Sequence, residues 1–345
     1  MCSLPTMVEE KWPYTNLVIS HKKKEKSMSK KKILVTGIVP KEGLTRLMEE
    51  FDVTYSENGP FSREYVLEHL SEYDGWLLMG QKGDREMIDA GKNLQVISLN
   101  AVGFDHVDIA YAKEKGIVVS NSPQAVRVPT AEMTFALILA AVKRLSFYDK
   151  IVRNGDWIDP SERCYQGLTL EGATLGIYGM GRIGSTVAGF AKAFGMKVFY
   201  HDVYRLPEDK EKELGVTYVE FDDLVSQADV VTIHAPSLPS THHKFNKEIF
   251  KKMKNRSYLV NAARGPIVSE VDLVEALKTG EIAGAGLDVF EFEPEVSAEL
   301  RHLDNVIMAP HAGTGTIEAR CTLAEEAADN LFAFFAGNPV NVINK

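Results

Sequence analysis

The sequence predicts an α/β chain built from two doubly wound parallel-sheet domains, and three observations carry that expectation. Its 345 residues suit two domains of ordinary size. From Lys32 to about Ser120, short apolar runs alternate with amphipathic helical ones, the pattern of a parallel sheet covered on both faces. A glycine-rich turn, Gly179-Met180-Gly181-Arg182-Ile183-Gly184, then follows a short apolar run and opens a second series of the same kind.

Residues 1–27 precede any folded pattern. They lack an apolar segment of the signal-peptide type, and His21 to Lys26 is basic and polar. They read as a disordered extension, or as the product of an upstream start, with Met28 as a normal beginning. In the first series, Ile33–Thr36, Gly75–Met79, Gln95–Leu99 and Ile117–Val119 read as buried strands. Arg63–Tyr73, capped by Ser62, and Asp84–Ala90 read as helices between them. The turn Ala101-Val102-Gly103-Phe104-Asp105 follows a strand end, where open sheets hold their ligand loops. Within and beyond it, Asp105 and Asp108 read as turn and helix-cap residues. Thr130–Leu145 is apolar nearly all round, so it must be buried, between domains or between subunits.

The second series supplies strands at Thr174–Tyr178, Lys197–Tyr200, Asp229–His234, Tyr258–Asn261, Ala283–Val289 and Asn305–Ala309. A helix Ser269–Thr279 has a capping serine and Gly280 past its end. The last helix, Ile317–Phe335, must bury its apolar face, and returning to the first domain is the economical solution. The expected division is therefore 28–127 with 315–345 in one discontinuous domain, and 128–314 in the other.

Composition removes several classes of function. A net charge of −9 at pH 7 argues against nucleic-acid and anionic-membrane surfaces. No apolar run reaches the length of a membrane span. The three cysteines, Cys2, Cys164 and Cys321, lie far apart without metal-ligand spacing, which fits a reducing cytoplasm and no metal site.

The glycine turn carries specific chemistry because its surroundings stand in the right order. Gly179 allows the tight turn, Gly181 lets a pyrophosphate approach the backbone, and Gly184 lets helix pack on strand. The following helix offers free N–H groups and a positive dipole end. Asp202 follows the next strand, where a carboxylate accepts from an adenosine ribose and repels a 2′-phosphate. This is a Rossmann fingerprint for NAD rather than NADP. Three later strand ends present groups for carbonyl chemistry. Arg264 follows one, where a planar guanidinium can clamp a carboxylate. Asp288, Glu291 and Glu293 follow the next, and His311 the last. A histidine beside a carboxylate is a natural proton donor to a carbonyl oxygen receiving hydride.

Taken in order, the glycine turn, Asn261-Ala262-Ala263-Arg264-Gly265, Gly286-Leu287-Asp288-Val289-Phe290-Glu291-Phe292-Glu293-Pro294 and Pro310-His311-Ala312-Gly313 resemble the D-isomer-specific 2-hydroxyacid dehydrogenases. The similarity covers nearly everything from Lys32 to Val342. It implies a Rossmann domain inserted in a flavodoxin-like substrate domain, with a cleft that closes over substrate. It implies His311 as acid/base, Glu293 as its partner and Arg264 on the substrate. Arg182, Ile183, Ala235, Ala262 and Ala263 would line the NAD site, with Asp288 at the nicotinamide amide and Gly313 beside it. Backbone N–H groups at Gly80-Gln81 and Val102-Gly103 would receive the carboxylate of a small 2-oxo or 2-hydroxy acid. The family also implies a homodimer through the apolar helix after Pro129.

Val102 to Asp108 resembles the glyoxylate/hydroxypyruvate and 2-ketogluconate reductase branch, whose NADP-preferring members carry arginine or serine where this chain has Asp202. Arg205 is the nearby cation that bears on that choice. Formate dehydrogenases of the same fold pair their histidine with glutamine, whereas Glu293 supports a hydroxyacid reaction. The C-terminal-binding co-repressors, NAD(H)-sensing proteins, keep the same catalytic residues and are the alternative of another class. His234 reads as structural or as packing beside adenine, His201 as solvent-facing or at the ribose, and His106 as structural; His242 and His243 sit in a polar loop and need no function.

Overall fold

A computed structural model describes residues 30–345; the expectations for residues 1–27 lie outside the described residues. Apolar runs become strands wherever both faces can be covered. The first sheet contains β1 (Lys32–Val35), β2 (Asp52–Thr54), β3 (Gly75–Leu78), β4 (Val96–Leu99) and β5 (Val118–Ser120), in the order β2-β1-β3-β4-β5. All its pairings are parallel. That order is the flavodoxin-like one, with its reversal between β1 and β3.

The second sheet contains β6 (Thr174–Tyr178), β7 (Lys197–His201), β8 (Thr217–Tyr218), β9 (Val230–Ile233), β10 (Tyr258–Asn261), β11 (Gly284–Leu287) and β12 (Val306–Met308). Its order is β12-β11-β10-β9-β6-β7-β8, again parallel, with the reversal between β6 and β9. This is the Rossmann order with one further strand. β2 and β8 are short edge strands reading Asp-Val-Thr and Thr-Tyr. Too polar and too brief for a buried run, they escape a reading based on hydrophobic pattern.

Helix ends follow their caps. The side chains of Ser62, Asp84, Asp108 and Thr316 each accept from a backbone N–H three residues on. Ser269 departs from expectation. It occupies the N-cap of Glu270–Thr279, but its side chain makes no capping hydrogen bond.

The apolar helix runs Arg127–Val142, and its burial differs from the expected one. It packs within the second domain, on β10, β11 and β12 and against the helix Arg182–Ala193. Gly286 permits the approach, since a Cβ there would lie 3.1 Å from Leu137 Cβ. What remains outside is a stripe of Val128, Glu132 and Ala136.

The last helix, Ile317–Phe335, returns to the first sheet and packs on β3 and β4. Ser98 Oγ donates to its Ala327 carbonyl at 2.7 Å, and Asn330 Nδ2 donates to Asn121 O at 2.9 Å. The second sheet is therefore inserted between the parts of the first domain, and the strand ends of both sheets supply the loops described next.

Candidate active site

Each glycine of the turn after β6 meets a different constraint. Gly179 has φ +100°, and a Cβ there would stand 2.7 Å from Ala235 N. A Cβ on Gly184 would stand 2.2 Å from Gly179 O, so only glycine lets the helix Arg182–Ala193 seat on the strand. Gly181 has no atom near its missing Cβ: the space is open, as an approaching diphosphate requires. The first turn of the helix carries no acidic residue, and Arg182 is exposed beside it. The chemistry of this cradle fits NAD.

Asp202 is tied to the same turn. Its Oδ2 accepts from Met180 N–H at 2.7 Å and its Oδ1 from Tyr204 N–H at 3.0 Å, leaving acceptor capacity on each oxygen. Arg205 is committed elsewhere, donating to Glu211 at 2.9 and 3.1 Å with its guanidinium over Tyr218. His201 donates from Nδ1 to Val219 O at 3.1 Å. His234 lies 3.0 Å from Thr232 Oγ1, and burial pushes its imidazole down to about 3.

The turn after β10 is shaped by Asn261, whose side chain accepts from Ala263 N–H at 3.0 Å and donates to Arg264 O at 2.9 Å. Gly265 passes so close to Phe290 O that a Cβ would overlap it, at 1.7 Å. These contacts project Arg264 toward the first domain. Its Nε donates to Asp105 Oδ2 at 2.7 Å and its NH1 to Ala263 O at 2.7 Å. Its NH2 occupies the space where Gly103 would carry a Cβ, 1.5 Å away.

The loops after β11 and β12 meet at His311. This residue has φ +54°, and its N–H donates to Asp288 O at 2.7 Å. Its Nδ1 lies 2.9 Å from Glu293 Oε2, leaving Nε2 for a second partner. Burial would raise the Glu293 carboxyl. Hydrogen bonds from His311 and Phe290 N–H, with the charges of His311 and Arg264, instead hold it below the usual carboxylate range. Asp288 is 1% exposed and accepts from Ala312 N–H at 2.7 Å. Burial keeps its carboxyl above the ordinary value despite that bond and another from Gly313 N–H.

These strand-end motifs are those of a sequence family. Residues 135–313 match the family model for the NAD binding domain of D-isomer specific 2-hydroxyacid dehydrogenases. The chain belongs to that family. A glyoxylate reductase of Thermofilum pendens is 42% identical over 324 residues, covering 92% of this chain and 96% of that relative. Among solved structures, a glyoxylate reductase from Paecilomyes thermophila superposes with TM-score 0.82 at 32% identity, over 92% of this chain and 99% of that one. An NADPH-dependent glyoxylate/hydroxypyruvate reductase from Sinorhizobium meliloti, in complex with NADP and malonate, gives 0.79 at 30% identity, over 91% and 97%.

For a member of this family, the structure sorts the sequence candidates. Glu293 and His311 are in contact, and Arg264 reaches Gly103 in the other domain. Ala235, Ala262 and Ala263 follow β9 and β10 on the same sheet edge as the glycine turn, and Ile183 lies in the first turn of its helix. Gly80 and Gln81 follow β3, and Val102 follows β4. Among the described residues no hydrogen bond joins these three to Arg264 or His311; Gln81 Nε2 donates to Phe61 O at 2.8 Å, and Val102 O accepts from Asn121 at 2.8 Å.

Sequence reasoning missed two contacts. Asp105, read as a turn residue, pairs with Arg264 across the cleft; its position in the ligand loop was the available signal. His243, read as needing no function, has Nε2 2.6 Å from Glu291 Oε1. Glu291 Oε2 also accepts from Glu270 N–H at 2.9 Å, and Glu270 accepts in turn from Glu291 N–H at 3.2 Å. This network braces the loop that carries Glu293.

Proposed function

We propose that this dehydrogenase reduces a small 2-oxo acid with NADH to the D-2-hydroxy acid. The observation that carries the reading is the contact of Glu293 with His311 Nδ1, with Nε2 left over and Arg264 near enough for its charge to act on Glu293. Reduced nicotinamide supplies the hydride that C2 of the acid accepts. Arg264 holds the substrate carboxylate through paired N–H donors and polarises the adjacent carbonyl. His311 Nε2 gives its proton to the carbonyl oxygen as negative charge develops there, and Glu293 stabilises the imidazolium and fixes the ring. In the reverse direction His311 takes the proton from the hydroxyl. Backbone N–H groups at Gly80, Gln81, Val102 and Gly103 complete the carboxylate site.

Gly179, Gly181, Arg182, Ile183 and Gly184 would hold the diphosphate end of NAD, and Asp202 the ribose. Ala235, Ala262 and Ala263 would line its course, with Asp288 and Gly313 toward the carboxamide. The Sinorhizobium relative is NADPH-dependent by its name, so cofactor choice within the family rests on local residues. Here Asp202 is the group at the ribose, and Arg205 is spent on Glu211. Removing the charge while keeping an acceptor, by Asp202→Asn, is expected to shift the NADH/NADPH ratio of kcat/KM toward NADPH by about tenfold or more. An unchanged ratio would remove Asp202 from the ribose site.

A homodimer through the NAD-binding domain is part of the same reading. The helix Leu145–Arg153, next along the chain, buries none of its residues within the protomer. Leu145 and Val152 stand exposed, and Trp157 is 87% exposed, an apolar face of the kind that subunit contacts cover. Sedimentation is expected to give a dimer, and Trp157→Glu with Val152→Glu to give a monomer; a monomeric parent would contradict this. No helix among the described residues is long and apolar enough to cross a membrane. Cys164 and Cys321 are free thiols, in keeping with a cytoplasmic setting.

NADH consumption with glyoxylate, hydroxypyruvate, pyruvate and branched 2-oxo acids tests the proposal. Turnover on at least one is expected. NADH binding with no turnover on any would favour a co-repressor-like sensor instead.

A further inference from the structure

We propose that Asp105 is the positioning residue that aims the Arg264 guanidinium at the substrate carboxylate from across the cleft. The inference rests on the reading of Arg264 as the carboxylate clamp and adds what orients it. Arg264 follows β10 in the second sheet, whereas Asp105 follows β4 in the first. The Nε–H bond to Asp105 Oδ2 at 2.7 Å and the NH1 bond to Ala263 O at 2.7 Å leave the plane of the group little freedom to turn.

The donors left over are one hydrogen of NH1 and both of NH2. NH1 and NH2 thus keep hydrogens for a carboxylate, which a guanidinium meets with two parallel bonds. NH2 lies against Gly103, in the space any larger residue would fill. Gly103 gives the fork its room and Asp105 its direction.

Two other roles for Asp105 fit less well. It is no plug for the clamp, because it takes Nε and leaves the NH1/NH2 fork open. It is a poor source of fold stability, because the two side chains are 28% and 45% exposed and such pairs stabilise little. A contact that adds little stability yet fixes a reactive group's angle acts through geometry, and misplacement of a reacting group by about an ångström can cost about 10²-fold in rate.

Steady-state kinetics of the full chain on its best 2-oxo acid test the assignment. Asp105→Ala is expected to raise KM for the acid about tenfold or more, with a smaller loss in kcat. The Kd for NADH and the thermal midpoint should stay at the parent values. Asp105→Asn, whose amide oxygen still accepts from Nε, should recover most of the loss. In an Arg264→Ala background, or Arg264→Lys if turnover is otherwise too low, adding Asp105→Ala should cost little more, because Asp105 acts through Arg264. A parental or lowered KM in Asp105→Ala, or the full loss repeated without the arginine, overturns the assignment. An unaltered chain that turns over no 2-oxo acid removes the reading of Arg264 itself and this inference with it, and that result is read before any variant is made.

Discussion

Replacing His311 with asparagine is expected to lower kcat by about 10²- to 10⁴-fold, the usual contribution of a positioned general acid, while NADH still binds. Asparagine is the informative replacement because His311 sits at φ +54°, and asparagine enters the left-handed region more readily than alanine. Its N–H can keep the bond to Asp288 O, and the half-exposed ring contributes little to the core, so a loss of rate reports chemistry rather than unfolding. The partner variant, Glu293→Gln, separates charge from geometry. In the parent, His311 and Phe290 N–H hold the Glu293 carboxyl below its ordinary range against the opposing effect of burial. A depressed carboxyl contributes its stabilisation above the ordinary carboxylate range, and loses it as pH falls through the lowered value. The pair is therefore intact at neutral and mildly acid pH and breaks only in stronger acid. Glutamine removes the charge at every pH. The acid limb at which the parent loses rate as Glu293 takes up its proton should then be absent from the variant, whose kcat should be low at every pH. A variant with the parental rate and acid limb would detach Glu293 from the proton transfer.

Replacing Arg264 with alanine is the second large effect. A bidentate, charge-assisted contact to a carboxylate is worth several kcal/mol, so kcat/KM for the 2-oxo acid should fall by about 10²- to 10³-fold. Arg264→Lys should fall between parent and alanine, because an ammonium supplies charge without the flat fork. The turn itself should survive both changes. It is shaped by Asn261 contacts to Ala263 N–H and Arg264 O, which use no part of the arginine side chain. NADH affinity close to that of the parent in both variants would confirm that the loss lies with the acid; equal losses for acid and NADH would point to a collapsed loop.

The parts of this molecule legible in its sequence are those governed by local rules. Gly179 and Gly184 stand where a Cβ would meet backbone at 2.7 and 2.2 Å, while Gly181 faces open space, so the first and third glycines are explained by local contacts alone. Buried strands announced themselves as apolar runs, while β2 and β8, edge strands of three and two residues with no apolar run, did not. The apolar helix Arg127–Val142 was identifiable as buried, but its packing partner depends on which sheet face lies open. That is a tertiary fact, and the partner is the seven-stranded sheet of the helix's own domain. The site divides the same way. Glu293 and His311 each stand at a recognisable strand end, so their contact at 2.9 Å follows from adjacent strands β11 and β12. The Arg264–Asp105 pair joins residues in different domains, and no local pattern brings them together. Nor does spacing alone pair His243 with Glu291, because a polar loop gives no sign of what it folds against.

The configuration of the product tests the account most directly. The purified chain would be given NADH and each 2-oxo acid of the panel, and the hydroxy acid formed from any acid turned over, glyoxylate excepted, resolved by chiral chromatography. The account predicts the D-2-hydroxy acid, with hydroxypyruvate giving D-glycerate if it is reduced. An L product, or binding of NADH without reduction of any acid, would contradict it.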